Sequence, residues 1–254
     1  MALFTDGGIS DLEDLIALDS QLLDVATVEG IDVTRKLASA QEQIGLELIT
    51  MLNRLDFVAE PFWVSSQPRL KDVVVTTPLK LWHTYRALEM VYSDAYSSQL
   101  NDRYAAKRDQ FHEAALEACE KLIQIGVGVV SHPVPQATPP QVIAVPGNLP
   151  DGIYYVTMAW LNSLGEEATS AVPAVITLSA STLQVQPAPA PATATTWNVY
   201  VGHAPEAMVL QNSSPIPAGA IWIQMNPLVQ TGQRPGRGQE PNYFKPIPRI
   251  LQRG

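Results

Sequence analysis

The residues of this chain that are able to carry out acid–base or metal chemistry are few and stand far apart. His112-Glu113 falls on a predicted helix, but a zinc protease needs a second histidine four residues after the first, where Leu116 stands. Glu166 and Glu167 are adjacent in a predicted turn, so their carboxylates point apart and share no partner. We interpret this pair as residues that keep the turn soluble. The sequence therefore predicts neither a metal site nor an acid–base pair.

The single cysteine and the glycine-rich stretch also lack the context of a catalytic site. Cys119 lies among alanines in a helical pattern, so we predict a buried small apolar group and no disulfide within the chain. Gly126-Val127-Gly128 follows a predicted helix but precedes none, which indicates a helix terminator rather than a dinucleotide-binding loop. With no nucleophile–base pair, metal set or phosphate cradle in the sequence, we predict no catalytic residue, no cofactor and no enzyme activity.

Two groups of side chains on predicted helices are candidates for protein contacts instead. Tyrosines recur on one face of a helix, a pattern that is typical of core packing but that also suits a subunit contact. The next helix carries a small basic face, which is either a salt-bridged surface or a second part of that contact. Together with apolar and basic residues near the C-terminus, the predicted interface residues are Tyr85, Tyr92, Tyr96, Arg103, Lys107, Tyr243, Phe244, Ile247, Arg249, Ile250 and Leu251.

The amino-acid composition changes near His132. Residues 1–132 hold 20 of the 25 acidic and 11 of the 16 basic residues, but only three of the 21 prolines. Residues 133–226 hold four acidic residues and no basic one, and residues 227–254 hold one acidic and five basic residues. Because proline is excluded from helix interiors and tolerated at strand edges and turns, an acidic helical half is joined to a proline-rich β half.

The charge and the hydropathy pattern narrow the function classes. A net charge of −9 argues against a general nucleic-acid binder, which needs a basic face. No segment has the roughly 18–20 apolar residues of a membrane helix, and Met1–Ser10 lacks the basic start and apolar stretch of an export signal. We expect a soluble protein that is not exported.

Residues 1–132 are predicted to form a small helical bundle. Ser10 and Glu13 have the spacing of a capping box, and Thr77-Pro78 places an N-cap before a first-turn proline. Apolar residues then recur at three- and four-residue steps. The predicted helices span residues 11–23, 32–55, 78–97 and 101–125, and a short extended piece is predicted at residues 73–75.

The second half is predicted to be a β-sandwich followed by an extended arm. Residues 133–150 are rich in proline and are interpreted as a linker with Gln141–Val145 as a candidate first strand, so we expect the sandwich at 151–226 to fold independently. Large side chains alternate along 153–161 and 195–201, which indicates half-buried strands. Residues 227–254 lack this periodicity but contain apolar and basic side chains. We therefore predict an intermolecular strap whose apolar side chains become buried against another chain.

Two stretches carry a resemblance to known families. Leu79–Val130, with Tyr92-Ser-Asp-Ala-Tyr96 and Asn101-Asp-Arg-Tyr104, resembles the helical core of head–tail adaptor proteins of tailed bacteriophages. The second half resembles a fibronectin type III or immunoglobulin-like domain, with a late-strand pattern at 155–167 arriving before a middle-strand pattern at 196–200, as in a circular permutation. The fold class expected is α+β and multidomain: a helical bundle, an immunoglobulin-like sandwich and a C-terminal arm.

The resemblance implies a structural protein in the neck of a virion, assembled in the host cytoplasm. Such adaptors form rings, commonly of twelve copies, that contact the portal protein and a downstream neck or tail protein, while DNA only passes through the lumen. The alternative is a virion appendage whose sandwich binds host-surface carbohydrate. Exposed indole rings at Trp160, Trp197 or Trp222 would favour that alternative, whereas buried rings favour a structural role.

Overall fold

The computed structural model describes residues 1–53, 68–99, 102–236 and 238–245. The chain folds into two compact units, and helices precede strands along it, so the α+β class is confirmed. The helical unit is Gly7–Ser131 with the chain from Pro241 onward, and the β unit is His132–Glu240 with Met1–Asp6. The predicted change of architecture near His132 coincides with one unit boundary. The chain nevertheless passes between the units three times. Met1–Asp6 belongs to the β unit, and the chain from Pro241 onward belongs to the helical unit.

The helical unit contains five helices within the described residues. They are α1 (Leu12–Leu18), α2 (Leu22–Glu29), α3 (Val33–Leu52), α4 (Thr77–Gln99) and α5 (Asp102–Ile125). The prediction of one helix over 11–23 was wrong, because the backbone is extended at Asp19 and its carboxylate accepts a hydrogen bond from the amide of Gln21. The capping box also lies one residue later than predicted, between Asp11 and Asp14. The predicted end of the second helix at residue 55 falls outside the described residues.

The core of the helical unit forms where α4 and α5 pack as a long antiparallel pair and α1 to α3 cover α4. The apolar residues of α5 that face this core recur at three- and four-residue steps, as an amphipathic helix requires. They are Phe111, Ala115, Ala118 and Leu122, all buried. Cys119 is half-buried, and burial together with the carboxylates of Glu47 and Glu120 raises the pKa of its thiol to about 11. The thiol is therefore protonated at neutral pH, but the side chain is only half-buried and not buried as predicted.

A small sheet joins the end of α5 to the C-terminal segment. Strand β1 (Val127–Val129) pairs antiparallel with β10 (Asn242–Phe244), and on its other edge Val73 forms a bridge with Val129. The interpretation of Gly126-Val127-Gly128 as a helix terminator is confirmed, because α5 ends at Ile125 and Gly126 has a φ of 110°, but the stretch also provides β1. A Cβ atom on Gly126 would stand 3.0 Å from the carbonyl oxygen of Phe244, and one on Gly128 would stand 3.0 Å from Pro241, so the two glycines make room for the arriving strand.

The β unit is built from two antiparallel sheets that share one hydrophobic core. The strands are β2 (Gln141–Pro146), β3 (Gly152–Leu161), β4 (Ala174–Leu178), β5 (Ser181–Gln186), β6 (Thr196–Gly202), β7 (Val209–Leu210), β8 (Ile216–Pro217) and β9 (Trp222–Ile223). One sheet has the order β2-β5-β9; the other has the order β4-β3-β6-β7, with β8 also paired to β6. The predicted alternation along β3 and β6 is confirmed, because Met158 lies opposite Val199, Trp160 lies opposite Trp197, and all four are buried in the core.

The proline-rich stretch 133–150 is not a linker. Val134 and Ala137 are buried in the core of the β unit, and β2 pairs along its whole length with β5. Proline is tolerated here because the stretch runs along the edge of a sheet, where backbone amides need no ladder partner. Sequence composition alone does not distinguish such an edge segment from a free linker.

The C-terminal arm is also not a single extended strap. Residues 227–240 pack on the β unit, where Leu228 contacts the core and the carbonyl of Gln233 accepts a hydrogen bond from Leu210. The next residues form β10 in the helical unit. We predicted that this arm becomes buried only against another chain. That prediction was wrong for residues 227–245, because they pack and pair with residues of the same chain. Residues 246–254 lie outside the described part.

Candidate functional site

Tyr92 is a core residue of the helical unit and not an interface residue. Its side chain is 1% exposed, and its ring stacks on Phe111 with 5.7 Å between centroids. Its hydroxyl donates a hydrogen bond to the carboxylate of Asp19 at 2.5 Å. Burial and the carboxylate of Asp19 raise the pKa of Tyr92, so the phenol stays protonated. The prediction that Tyr92 contacts another subunit was therefore wrong.

Lys107 is likewise engaged within the helical unit. Its ammonium group lies 3.5 Å from the buried carboxylate of Asp19 and 5.4 Å from the ring centroid of Phe111. A buried carboxylate needs a cation or hydrogen-bond donors, and Asp19 obtains both from Lys107 and Tyr92. This network explains why the chain bends at Asp19. The predicted role of Lys107 in a subunit contact is replaced by this internal one.

The other predicted interface residues are only partly covered. Tyr85 is half-buried against Phe111, with 6.5 Å between ring centroids, and the half-buried Tyr96 lies under the guanidinium of Arg108 at 4.9 Å. The guanidinium of Arg103 lies 4.9 Å above the ring of Tyr104 and donates to its hydroxyl at 3.0 Å. These side chains cluster with Tyr92 and Lys107 near the first half of α5.

The C-terminal members of the predicted interface do not join that cluster. Tyr243 is 48% exposed and Phe244 is half-buried on β10, which pairs with β1 just beyond the end of α5. At 1.5 Å per residue, the span of α5 from Lys107 to Ile125 is roughly 27 Å. The predicted residues therefore do not form one surface. Ile247, Arg249, Ile250 and Leu251 lie outside the described residues.

A different surface of the helical unit has the features of a protein contact, and we call it the three-helix face. A chain of polar contacts crosses α3, α4 and α5 there. The guanidinium of Arg86 donates to Gln43 at 2.9 Å and to Glu89 at 2.7 Å, and the ring of His112 lies 2.9 Å from the other oxygen of Glu89. These contacts fix the side chains in place before any partner arrives, which lowers the entropic cost of binding.

Exposed apolar side chains flank this polar chain. Leu46 stands three residues after Gln43 on α3, and Leu116 stands four residues after His112 on α5, so each shares the face of its polar neighbour. They are 67% and 54% exposed. Ile123 continues the stripe along α5 and is 38% exposed. We define the three-helix face by Gln43, Leu46, Arg86, Glu89, His112, Leu116 and Ile123.

The sequence contains the signal for this face, although our prediction did not use it. His112, Leu116 and Ile123 recur at helical spacing one position after the buried residues Phe111, Ala115 and Leu122. Two parallel apolar stripes on one helix make the apolar face wider than one internal seam requires. We predicted the interface at the tyrosines of α4 instead, because large aromatic side chains are enriched at interfaces.

Glu166 and Glu167 fasten the segment 233–240 to the β unit. The carboxylate of Glu166 accepts hydrogen bonds from Asn162 at 2.6 Å and from Gln239 at 2.9 Å. The carboxylate of Glu167 accepts from the hydroxyl of Tyr200, and from Gln233 at 3.1 Å. The two side chains have separate partners, as predicted. Glu166 is exposed on the turn, as the solubilising interpretation expects, whereas Glu167 is half-buried.

The carboxyl group of Glu167 gives a pH-dependent prediction. Burial raises its pKa although three donors around it act in the opposite direction. The folded state therefore holds this proton more tightly than the unfolded state, and stability falls as pH rises from the unfolded pKa through the raised one. Glu167→Gln removes this dependence. The melting temperature of the variant should therefore rise relative to that of the wild type as pH increases, and the difference should become constant above the raised pKa. Thermal melts of both proteins from pH 4 to pH 8 measure this, and a constant difference would contradict it.

Ser10 and His83 form a hydroxyl–imidazole pair that cannot act on a substrate. The hydroxyl of Ser10 contacts Nδ1 of His83, while Nε2 lies 3.0 Å from the carbonyl of Leu37 and donates to it. His83 is 0% exposed and Ser10 is 6% exposed. Burial lowers the pKa of His83, which keeps the ring neutral. In its contacts the pair resembles a nucleophile and its base, but both side chains are buried and cannot reach a substrate. The contact connects α4 to the N-terminal part of the chain.

Trp160 and Trp197 are buried, and Trp222 is half-buried. Within the described ranges, no three histidine, cysteine or carboxylate side chains converge as metal ligands would. A search of the same ranges for a helix of the length and hydropathy needed to cross a membrane finds none. Comparisons with protein-family models, with curated proteins and with solved structures gave no match.

Proposed function

We propose that the protein is a structural subunit of a tailed-phage neck, a head–tail adaptor that forms a ring beneath the portal. The observation that carries the proposal is the three-helix face. It combines exposed leucines with a preorganised polar chain, as expected of a contact between subunits. The tyrosine cluster, which the sequence first indicated, is occupied by internal packing and is not part of the proposed contact.

The strand order of the β unit supports the proposed kinship with immunoglobulin-like domains. In that fold the middle strand C pairs with F, and F pairs with G. The order β6-β3-β4 corresponds to this arrangement if β3 and β4 are the late pair and β6 is the middle strand. The late pair then precedes the middle strand in the chain, as in the permutation that the sequence suggested. On this proposal the β unit is a domain that braces or decorates the ring.

The surface charge of the β unit fits a bracing role. Residues 133–226 contain four acidic side chains and no lysine or arginine. Three of the four acids make internal hydrogen bonds: Glu166 and Glu167 as described, and Asp151 with the amide of Ala180 at 2.8 Å. Charged residues are depleted in the buried centres of protein interfaces. Contacts of this unit should therefore depend little on salt. The alternative, carbohydrate binding, needs exposed aromatic rings. Of the three tryptophans considered, only Trp222 is not buried, and it is half-buried.

Substitutions on the three-helix face test the proposed function. Leu46→Asp and Leu116→Asp each place a charge in the proposed contact, so we expect a smaller native assembly and an unchanged melting temperature, because both side chains are exposed. Leu164→Asp is the matched control, since Leu164 is 62% exposed on the connection between β3 and β4. Native mass spectrometry and circular dichroism measure both quantities. If the two face variants assemble like the control, the three-helix face is not the contact.

A further inference from the structure

An apolar cleft with an acidic rim lies between α1 and the start of α4, and we call it the α1–α4 cleft. Its volume is about 360 Å³, and its apolar lining comes from Ala17, Leu18, Val75 and Leu81. Leu18 and Leu81 remain 41% and 37% exposed within the unit. A cleft of this volume accommodates one or two aliphatic side chains of a partner.

The charges around the cleft favour a basic ligand. Lys80 is the basic residue of the lining, and the carboxylate of Asp14 neutralises it at 2.7 Å. Asp11 and Glu13 lie on the same first turn of α1 as Asp14 and add two carboxylates to this end of the helix. Residues 7–131 as a whole contain 19 acidic and 11 basic residues. A peptide with apolar side chains and positive charge therefore suits both the lining and the rim.

We propose that the occupant of the α1–α4 cleft is the C-terminal segment, residues 246–254, of a neighbouring copy of this chain. The segment carries Ile247, Ile250 and Leu251 together with Arg249 and Arg253, and it has no acidic residue. It follows β10 and Lys245 in the chain, and nine residues reach up to about 30 Å. The choice of a neighbouring copy rests on the proposed assembly into a ring.

The position of β10 fixes where the C-terminal segment begins relative to the α1–α4 cleft. The start of β10 is close to the cleft, because a Cβ atom on Gly128 would lie 3.0 Å from Pro241 and 2.9 Å from the side chain of Thr76, which lines the cleft. The strand continues along β1, and its last residue, Phe244, pairs with Val127. Pro246 and Pro248 follow in the sequence, and closely spaced prolines favour an extended backbone, which suits a reach to another copy.

Peptide binding to a full-length variant tests the cleft itself. Ile250→Ser combined with Leu251→Ser weakens the segment and leaves the cleft empty, so a fluorescent peptide of residues 245–254 should bind this variant saturably. Adding Leu81→Asp or Leu18→Asp should weaken peptide binding at least tenfold, whereas adding Leu116→Asp should leave it unchanged. Fluorescence anisotropy measures binding, and circular dichroism checks folding. Absence of peptide binding, or equal binding by the Leu81→Asp protein, would overturn the proposed site.

Complementation between two variants tests whether the segment comes from a neighbour. We expect the segment variant and Leu81→Asp each to give reduced native mass, and a mixture of the two to recover larger assemblies, because an intact segment can enter an intact cleft on another copy. No recovery would overturn the exchange between copies. Wild-type assembly by the segment variant would overturn the inference while leaving the three-helix face intact. Loss of assembly in Leu116→Asp with peptide binding retained separates the two contacts.

Discussion

Tyr92→Asp is expected to unfold the helical unit, whereas Tyr96→Asp leaves it folded. Tyr92 is fully buried against Phe111, and its hydroxyl satisfies the buried carboxylate of Asp19. Truncating a buried aromatic side chain costs about 3–5 kcal/mol, and a second carboxylate next to Asp19 adds repulsion between like charges. That sum approaches the whole stability of an ordinary domain, which is about 5–15 kcal/mol.

Tyr96 is the matched control because it lies on the same helix, one turn further on, and is only half-buried. Its substitution loses a cation–π contact with Arg108, worth about 0.5–1 kcal/mol at exposed sites. Helical circular dichroism at 25 °C and a thermal melt distinguish the two variants. A folded Tyr92→Asp protein with only its assembly reduced would contradict the buried position of Tyr92 and restore the tyrosine stripe as an interface.

The second large effect concerns a fragment of the β unit. A fragment of residues 138–230 should show no cooperative transition, or one at least about 10 °C below that of residues 132–240. The shorter fragment loses Val134 from the core, which costs about 1.5–3 kcal/mol. It also loses Gln233 and Gln239, which donate hydrogen bonds to Glu167 and Glu166, and a typical hydrogen bond contributes about 0.5–1.5 kcal/mol.

Thermal melts of the two fragments followed by β-type circular dichroism measure this difference. For a domain of this size, 1 kcal/mol corresponds to about 4–8 °C in melting temperature. The full chain is the positive control, because it also supplies Met1–Asp6, whose Asp6 accepts a hydrogen bond from the amide of Gln136 at 2.8 Å. Equal melting temperatures for the two fragments would show that residues 132–137 and 231–240 are dispensable.

Local pattern was sufficient to predict most of the secondary structure. The helices α3, α4 and α5 and the strands β3 and β6 lie close to their predicted positions, because each has a long periodic run of apolar residues. The break at Asp19 could not be predicted in this way. It depends on Tyr92 and Lys107, which are more than 70 positions away in sequence and satisfy the buried carboxylate.

The organisation of the termini was also beyond local pattern. Met1–Asp6 and the stretch 227–245 lack periodicity, and their places depend on single contacts to distant residues, such as Gln239 with Glu166 and Phe244 with Val127. Residues 227–254 are positively charged, whereas the rest of the chain is negatively charged. This difference does not indicate which surface these residues contact. The interface prediction was wrong at Tyr92 for a related reason, because a stripe of tyrosines looks the same in sequence whether another helix of the same unit or another subunit covers it.

Native mass spectrometry of the purified full-length chain tests the central claim most directly. If the protein is a ring-forming adaptor that assembles through the three-helix face, the spectrum should show a discrete closed assembly of many copies, with twelve as the expected number. The same measurement on Leu116→Asp should show that assembly replaced by small species of unchanged fold. A wild-type protein that remains a single copy at every concentration up to the highest soluble one would contradict the account.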